Sequence, residues 1–325
     1  MNIFGPVNSR RLGLSLGIDL VPGFCTFNCV YCEINRQKVR TCQRREYIPT
    51  VDIITELDRH LMDEGETELD IYTITASGEP TLHNGIGQII RHIKNHSSKP
   101  VAVLTNGSLL HRPEVRQELM AADIIIPSLD TARPASFQAL NRPAAGLDID
   151  IITEGIKIFK EEYSGKLWLE ILLCEGINDT EADIKALERA VDSIRPDKIQ
   201  LNTVDRPPLE ADAHPLSRPQ LERIAARLPG DVEIIARGQD PGPAGHKTAR
   251  PNNPNEIIEL LKRRPCTSED ICLTLNYEKT WVLTTLERLA ETAQITLTRH
   301  RDLKYWTMAK ETNERRKGNK EPRAE

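Results

Sequence analysis

Three cysteines stand at C-x3-C-x2-C spacing in the run Cys25-Thr-Phe-Asn-Cys29-Val-Tyr-Cys32, near enough along one short loop to converge on a single inorganic centre. Thiolates are the usual ligands of iron-sulfur clusters, and a four-iron cluster normally takes four of them. A loop that offers three leaves one iron open to a small-molecule ligand, as an open coordination position is kept in catalytic metal sites. Such a vacancy points to chemistry as well as electron storage. Spacing alone leaves two other readings, a zinc site completed by a histidine and cysteines buried for packing. The zinc reading needs a nearby histidine, and the first in the chain is His60.

The elements that must carry this loop read as alternating strands and helices. Short apolar runs at 15–21, 70–75, 101–105, 123–129, 167–173 and 199–203 predict strands, and amphipathic stretches at 51–64, 86–95, 112–120, 148–162 and 179–194 predict helices. This alternation implies parallel strands joined by helical crossovers, an α/β sheet or barrel of six units. Working residues in such folds lie just past the carboxyl ends of the strands. There the chain carries Ser77-Gly78-Glu79-Pro80, then Thr105-Asn106-Gly107, then Ser128 and Asp130. Small residues let backbone approach a ligand closely, and Glu79 could accept from an ammonium group, although each motif taken alone is also an ordinary turn. In 167–173 the alternation sets Trp168, Glu170 and Leu172 on one face. A glutamate on an apolar strand must be paired, solvated or functional, and a role at cofactor or substrate is expected of Glu170 rather than a structural ion pair. Gln200 and Asn202 share a face of the sixth strand and Arg206 follows it, placed to read a substrate or to cap a turn.

Together these motifs resemble the radical S-adenosylmethionine (SAM) superfamily. Cys25-x3-Cys29-Val-Tyr31-Cys32, with an aromatic before the last cysteine, is similar to that family's cluster signature. Ser77-Gly78-Glu79-Pro80 is similar to its Gly-Gly-Glu-Pro motif, with serine in place of the first glycine. The resemblance covers about residues 14–205. It implies a 4Fe-4S cluster on Cys25, Cys29 and Cys32, SAM on the fourth iron through its amino and carboxylate groups, and reductive cleavage of SAM to a 5'-deoxyadenosyl radical. It also implies that Gly78 and Glu79 meet the SAM amino group, that Thr105 and Ser128, with Asn106 and Asp130 beside them, face its carboxylate and ribose, and that Tyr31 turns towards the adenine. A reductant such as flavodoxin or ferredoxin would supply the electron. The implied fold is an incomplete (β/α)6 barrel, TIM-like, with the cluster at its mouth. The segment Gly5-Pro-Val-Asn-Ser-Arg-Arg-Leu-Gly13, with Leu140-Asn-Arg-Pro143 and Leu201-Asn-Thr-Val-Asp-Arg-Pro-Pro208, resembles a narrower subgroup related to the wyosine tRNA-modification enzymes. That subgroup names no single substrate, and both RNA and protein are compatible with it.

Length and composition bound the rest. A chain of 325 residues exceeds one average domain, so one large and one small unit are expected. Charged residues at 28% and hydrophobic residues at 39% indicate a globular protein. With no apolar run of ~18 residues and no basic-then-apolar leader, the expectation is a cytoplasmic chain that does not enter a membrane. Seven cysteines, three of them clustered with ligand spacing, suit a reducing compartment. Cys42, Cys174, Cys266 and Cys272 are scattered and read as small core residues or thiols. Basic charge gathers beside the cysteine loop, where Arg36, Lys38, Arg40, Arg44 and Arg45 fall within ten residues that contain no acid. Such a patch could attract a phosphate-bearing substrate or nucleic acid, and could equally be a solvated loop. With 43 basic against 48 acidic side chains in the whole chain, no broad basic face is evident.

A composition break rich in turn formers lies at 240–254. Beyond it, 255–262, 268–275 and 278–292 have helical apolar spacing, and 295–298 and 305–308 alternate as strands around a charged turn. Three helices and a ribbon resemble a winged-helix domain over 254–309, after a radical SAM core at 1–250 and before a polar tail at 310–325 expected to be disordered. Winged helices often place the third helix in the DNA major groove. Here that helix carries Glu278, Lys279, Glu287, Arg288 and Glu291, a poor electrostatic footprint for sequence-specific DNA. Protein contact, dimerisation or substrate docking fits it better. The rival from another class is a non-catalytic iron-sulfur sensor that binds DNA through the winged helix, which would need neither the SAM motifs nor six barrel strands. A radical-enzyme activase stays open within the superfamily.

Overall fold

The computed structural model describes residues 2–9, 11–34, 39–63, 69–235 and 252–309. Arg36 and Lys38 of the basic run, residues 240–251 of the break and the tail at 310–325 lie outside the described residues. The chain opens with β1 (Ile3–Ser9) and β2 (Gly13–Asp19), followed by the short pair β3 (Phe24–Cys25) and β4 (Val39–Arg40). Alternation then sets in with α1 (Thr50–Asp63), β5 (Ile71–Thr75), α2 (Ile86–His96), β6 (Val101–Thr105), α3 (Pro113–Leu119) and β7 (Ile124–Pro127). It continues with α4 (Pro134–Leu140), α5 (Ile149–Glu162), β8 (Lys166–Leu173), α6 (Glu181–Ile194), β9 (Lys198–Thr203), α7 (Arg218–Ala225) and β10 (Val232–Ile234).

One eight-stranded sheet runs in the order β1-β2-β5-β6-β7-β8-β9-β10. From β2 to β10 every pairing is parallel, and only β1 is antiparallel to its neighbour. The six expected strands are β2 and β5 to β9, so the fold is an open α/β barrel of six parallel units with one extra strand at each edge. The two added strands have weak local signals. Gly5-Pro6 interrupts the alternation of β1, which shows a register shift between Phe4 and Val7, and β10 is three residues long.

Alternation decides what faces inward. On β8, Leu167, Leu169, Ile171 and Leu173 are fully buried beneath the helices, while Trp168, Glu170 and Leu172 are half-buried on the opposite face. The helices answer with apolar stripes, as in Ile86, Ile89, Ile90 and Ile93 of α2. Inside the barrel the strands present polar or small groups, including Ser15, Gly17 and Asp19 of β2, Thr73 and Thr75 of β5 and Asn202 of β9, and these line a cavity. Ser15 and Thr73 bond to each other through their hydroxyls at 2.5 Å. An interior built this way stays open above that layer rather than filling with aliphatic side chains.

The last elements are α8 (Pro254–Arg263), α9 (Ser268–Leu275), α10 (Lys279–Glu291), β11 (Ile295–His300) and β12 (Leu303–Met308). These three helices and one antiparallel ribbon surround their own core of Ile257, Ile271, Val282 and Leu286, separate from that of the barrel. This unit is seated on the barrel. Asn8 Nδ2 donates to the Leu273 carbonyl at 2.9 Å, the Arg263 guanidinium lies 4.0 Å from the centre of the Phe4 ring, and the Tyr305 hydroxyl donates to the Asp205 carbonyl at 2.9 Å. It therefore touches both β1 and the segment after β9, closing the side that the sheet leaves open. No helix among the described residues is long and apolar enough to cross a membrane.

Leu286 is fully buried at the centre of the second core. Leu286→Ala is expected to lower the stability of this unit by about 2–5 kcal/mol. Urea unfolding followed by tryptophan fluorescence reads this directly, because two of the three tryptophans, Trp281 and Trp306, pack on that core.

Candidate active site at the carboxyl ends of the strands

The cysteine loop leaves β2 and is laid along the segment that follows β7. Asn28 and Val30 donate their backbone N–H groups to the carbonyls of Asn141 and Leu140, both at 2.9 Å, and Cys32 N donates to the Cys29 carbonyl at 3.2 Å. Cys25 is buried, and Cys29 and Cys32 are half-buried. Two sulfurs receive side-chain amides: Asn106 Nδ2 lies 3.6 Å from Cys25 Sγ and Asn141 Nδ2 lies 3.5 Å from Cys29 Sγ. Burial pushes the Cys29 thiol up, the charges of Cys25, Asp130 and Cys32 add to it, and the Asn141 amide opposes them. Thiolates gathered in this way repel one another until a cationic centre neutralises them, which is what an iron cluster does. Among the described residues no three His, Cys, Asp or Glu side chains converge on one metal ion. A four-iron cluster makes no such demand, since each thiolate binds a different iron.

Three carboxylates hold the rim of the barrel in place. Asp19, at the end of β2, accepts from Ser77 N at 3.0 Å and from the Ser77 hydroxyl. The serine that departs from the glycine pattern thus ties the loop after β5 to β2. Glu79 is 1% exposed. Its Oε1 accepts from Thr81 N at 3.0 Å and from the hydroxyls of Thr81 and Thr105, both at 2.6 Å, while Oε2 accepts from Asn106 N at 2.7 Å. Burial pushes the Glu79 carboxyl up and these donors hold it down. Asp130, past β7, accepts from the Tyr31 hydroxyl at 2.5 Å, from Asn141 Nδ2 at 2.9 Å and from Leu172 N at 3.0 Å. Burial raises it to about 6 against the pull of those donors. Burial, with the charges of Asp130 and Cys29, also raises the Tyr31 hydroxyl.

A cavity of about 800 Å³ opens from this rim. Tyr31, Cys32, Ser128, Asp130 and Glu170 line it, and Gly78, Glu79, Thr105 and Asn106 are not among its lining residues. Ser128 N donates to the Thr105 carbonyl at 2.9 Å, carrying the bracket from β6 to β7. Glu170 is ion-paired across the barrel: Arg11, in the β1–β2 turn, reaches Glu170 Oε2 at 3.0 Å and Gln200 Oε1 at 3.3 Å. Asn202 Nδ2 donates to Glu170 Oε1 at 3.3 Å. So Glu170 is both cavity-lining and paired, Gln200 serves Arg11, and Arg206 holds Glu33 through Nη1 at 2.8 and 3.0 Å. Arg11, Asp19, Glu33 and Asn141 belong to the site without having been singled out as site residues. Arg11 and Asn141 lie inside two of the three quoted subgroup segments, the signal that could have found them.

The described part of the basic run is occupied. Arg44 pairs with Glu118 and donates to the Thr81 carbonyl at 2.8 Å, Arg45 lies over the rings of Tyr47 and Phe24 at 4.7 and 5.4 Å, and Arg40 donates to the carbonyls of Arg142 and Pro143. Of these, Arg44 is ion-paired, while Arg40 and Arg45 are exposed and their carbonyl and ring contacts leave their charge in place. Cys174 and Cys266 are fully buried small core residues, as expected.

Residues 20–187 match the family model described as the Radical SAM superfamily. The chain is 32% identical over 307 residues to a UPF0026 protein of Helicobacter pylori strain J99, covering 94% of this chain and 96% of that protein. It is 31% identical over 294 residues to a Brachyspira hyodysenteriae protein named GTPase Obg, where the match covers 90% of this chain and spans 43% of that longer relative. Among solved structures, TYW1 with a lysine-pyruvate adduct bound superposes with a TM-score of 0.51 at 19% identity, over 69% of this chain and 74% of that one, a likeness of fold.

Gly78 is required by closeness. A Cβ there would meet the Phe24 carbonyl oxygen at 1.7 Å and the Val21 carbonyl oxygen at 2.7 Å, where Glu79 N now donates to Phe24 O at 3.0 Å. Gly78→Ala must push the loop after β5 away from the cysteine loop, and a loss of about 1–3 kcal/mol or more in urea unfolding is expected. Ser77→Ala, which removes the hydroxyl bond to Asp19 and leaves the backbone path intact, should cost about 1 kcal/mol.

Proposed function

The chain belongs to the radical SAM superfamily, and from that premise we propose that it holds a 4Fe-4S cluster on Cys25, Cys29 and Cys32, cleaves SAM reductively, and removes a hydrogen atom from a substrate lodged in the cavity. Enzymes of this superfamily bind a 4Fe-4S cluster and SAM, which sets the non-catalytic sensor aside. The observation that carries the reading is the position of the cysteine loop. It sits over the carboxyl ends of parallel strands, receives amide donors at Cys25 and Cys29, and opens through Cys32 onto a cavity lined by both apolar and polar side chains. When bound, the pair supplies a 5'-deoxyadenosyl radical, and the protein supplies binding, orientation and shielding.

Each residue at the rim has a task in that division. Asn106 and Asn141 donate to thiolate sulfur, withdraw electron density and favour the reduced state. Glu79 spends Oε1 on three donors and Oε2 on one, so Oε2 keeps a lone pair for the SAM ammonium while the rest of the carboxylate fixes Thr105 and Asn106. Ser128 and Asp130 present polar groups on the same wall for the ribose and carboxylate, and Asp130 sets the Tyr31 ring through its hydroxyl. The Arg11–Glu170 pair spans the chamber below, placed to contact the substrate rather than SAM. The electron would come from a donor of the flavodoxin or ferredoxin type. The C-terminal unit that walls the cavity favours a small substrate over a bulky one such as RNA.

Anaerobic reconstitution of the full chain tests the assignment. Wild type is expected to carry about four irons and four sulfides per chain. After chemical reduction it should release 5'-deoxyadenosine and methionine from SAM without added substrate, measured by mass spectrometry. Cys25→Ala, Cys29→Ala or Cys32→Ala should each lose the cluster and the cleavage, and a normal iron count in any of them would reject the ligand set.

Asn141→Leu removes the donor to Cys29 without touching a thiolate. Redox titration followed by electron paramagnetic resonance is expected to give a more negative midpoint potential than wild type at similar iron content. An unchanged midpoint would mean that the amide positions the loop and does not tune the cluster.

A further inference from the structure

Most cationic side chains around the cavity have an acceptor in hand. Arg11 reaches Glu170, Arg206 reaches Glu33, and Arg263 reaches Glu259 Oε2 at 3.2 Å while lying over Phe4. Arg264, between α8 and α9, differs. It is half-buried and lines the cavity, and its hydrogen bonding among the described residues is one contact, Nη2 to the Thr274 hydroxyl at 3.5 Å, at the outer limit for a bond. The nearby carboxylates are committed elsewhere: both Glu33 oxygens accept from Arg206 Nη1, and Asp270 accepts from Thr267 N at 2.9 Å in the cap of α9.

A neighbouring cation adds to the shortfall. Burial and then the charge of Arg206 pull Arg264 down from its ordinary value, with Cys266, Glu33 and Asp270 opposing them without a hydrogen bond to it among the described residues. Arg206 itself is 7% exposed, and its Nε, buried among the described residues, has no acceptor. Two guanidiniums, one following β9 of the barrel and one from the C-terminal unit, thus line the same cavity with donors left over. A guanidinium drawn out of water with donors unspent is costly, and the planar fork of arginine matches two oxygens of a phosphate or carboxylate. We propose that Arg206 and Arg264 form an anion-binding subsite, in which a phosphate or carboxylate group of the substrate is held across the seam between barrel and C-terminal unit. Glu33 follows Cys32 directly, so its pair with Arg206 ties this subsite to the cysteine loop. The C-terminal unit is then a substrate-binding part of the enzyme, with Arg264 as its specificity-determining residue.

The proposal rests on reading the cavity as the substrate chamber, and its test needs no SAM cleavage. Reconstituted full-length protein is titrated with inorganic phosphate and, separately, with acetate, against chloride at matched ionic strength, and the melting temperature is followed. Wild type is expected to gain stability in a saturable way. A response to phosphate marks a phosphoryl group on the substrate and a response to acetate a carboxylate, and either supports the subsite. Arg264→Met should weaken the apparent affinity about tenfold or more, with Arg264→Lys keeping part of it. In anion-poor buffer Arg264→Met should be at least as stable as wild type, because it removes a cation that burial and Arg206 both disfavour. Equal responses in wild type and Arg264→Met, no saturable response to either anion, or an Arg264→Met protein less stable than wild type in anion-poor buffer would each overturn the proposal. Anion binding in a wild type that releases no 5'-deoxyadenosine would instead fault the radical reading and leave the subsite standing.

Discussion

A carboxylate taken out of water must be met by donors or give up its charge, and three such groups stand where the strands end. Asp19, Glu79 and Asp130 are each less than a tenth exposed. The donors that meet them come from different strand ends and from the cysteine loop, so satisfying each carboxylate fixes one part of the rim against another. Asp19 draws in Ser77, Glu79 draws in Thr105 and Asn106, and Asp130 draws in Tyr31 and Asn141. Two of those partners, Asn106 and Asn141, go on to touch sulfur. The loop that carries the reactive ligands is therefore held by a polar network as well as by its own buried Phe27 and Val30, of which Phe27 meets the Phe137 ring edge-on.

Local pattern reached the strands that lie in the middle of the sheet. Runs such as Val101–Thr105 carry the strand in their own composition, and the observed element has the boundaries expected from it. It did not reach β1, whose Gly5-Pro6 step hides the period, or α4 and β10, each too short to show one. At the site, the cysteines and the strand-end motifs were legible because their spacing is short. What each residue of the motif does was less so. Glu79 and Thr105 are buried and bonded to each other, and Glu170 is paired with Arg11. Arg44 and Arg45 read as part of a basic patch or of a solvated loop, and the structure sets Arg44 against Glu118 and Arg45 over Tyr47. Except for Tyr47 the deciding partner is distant in sequence, and periodicity carries no information about which distant residue will arrive.

The barrel and the C-terminal unit divide the labour unevenly. Everything that would meet cluster or SAM comes from the barrel, on residues fixed by strand ends. The far wall, with Arg263, Arg264, Leu273 and Thr274, comes from a unit with its own core. A chamber made this way can keep its radical-generating half constant while the opposite wall changes the molecules admitted.

The antiparallel strand β1 is an edge, and an edge strand carries a row of backbone groups ready to pair with another chain. Here that row is broken three times over. Pro6 has no N–H to offer, the register shift between Phe4 and Val7 bends the strand, and α8 and α9 lie along it. At the opposite edge β10 is only three residues long, too short a template for stable pairing. An open barrel has two such edges where a closed one has none, and it must guard both against intermolecular sheet extension. The C-terminal unit thus also serves as a cover for one sheet edge, and that edge is bare until the unit has docked.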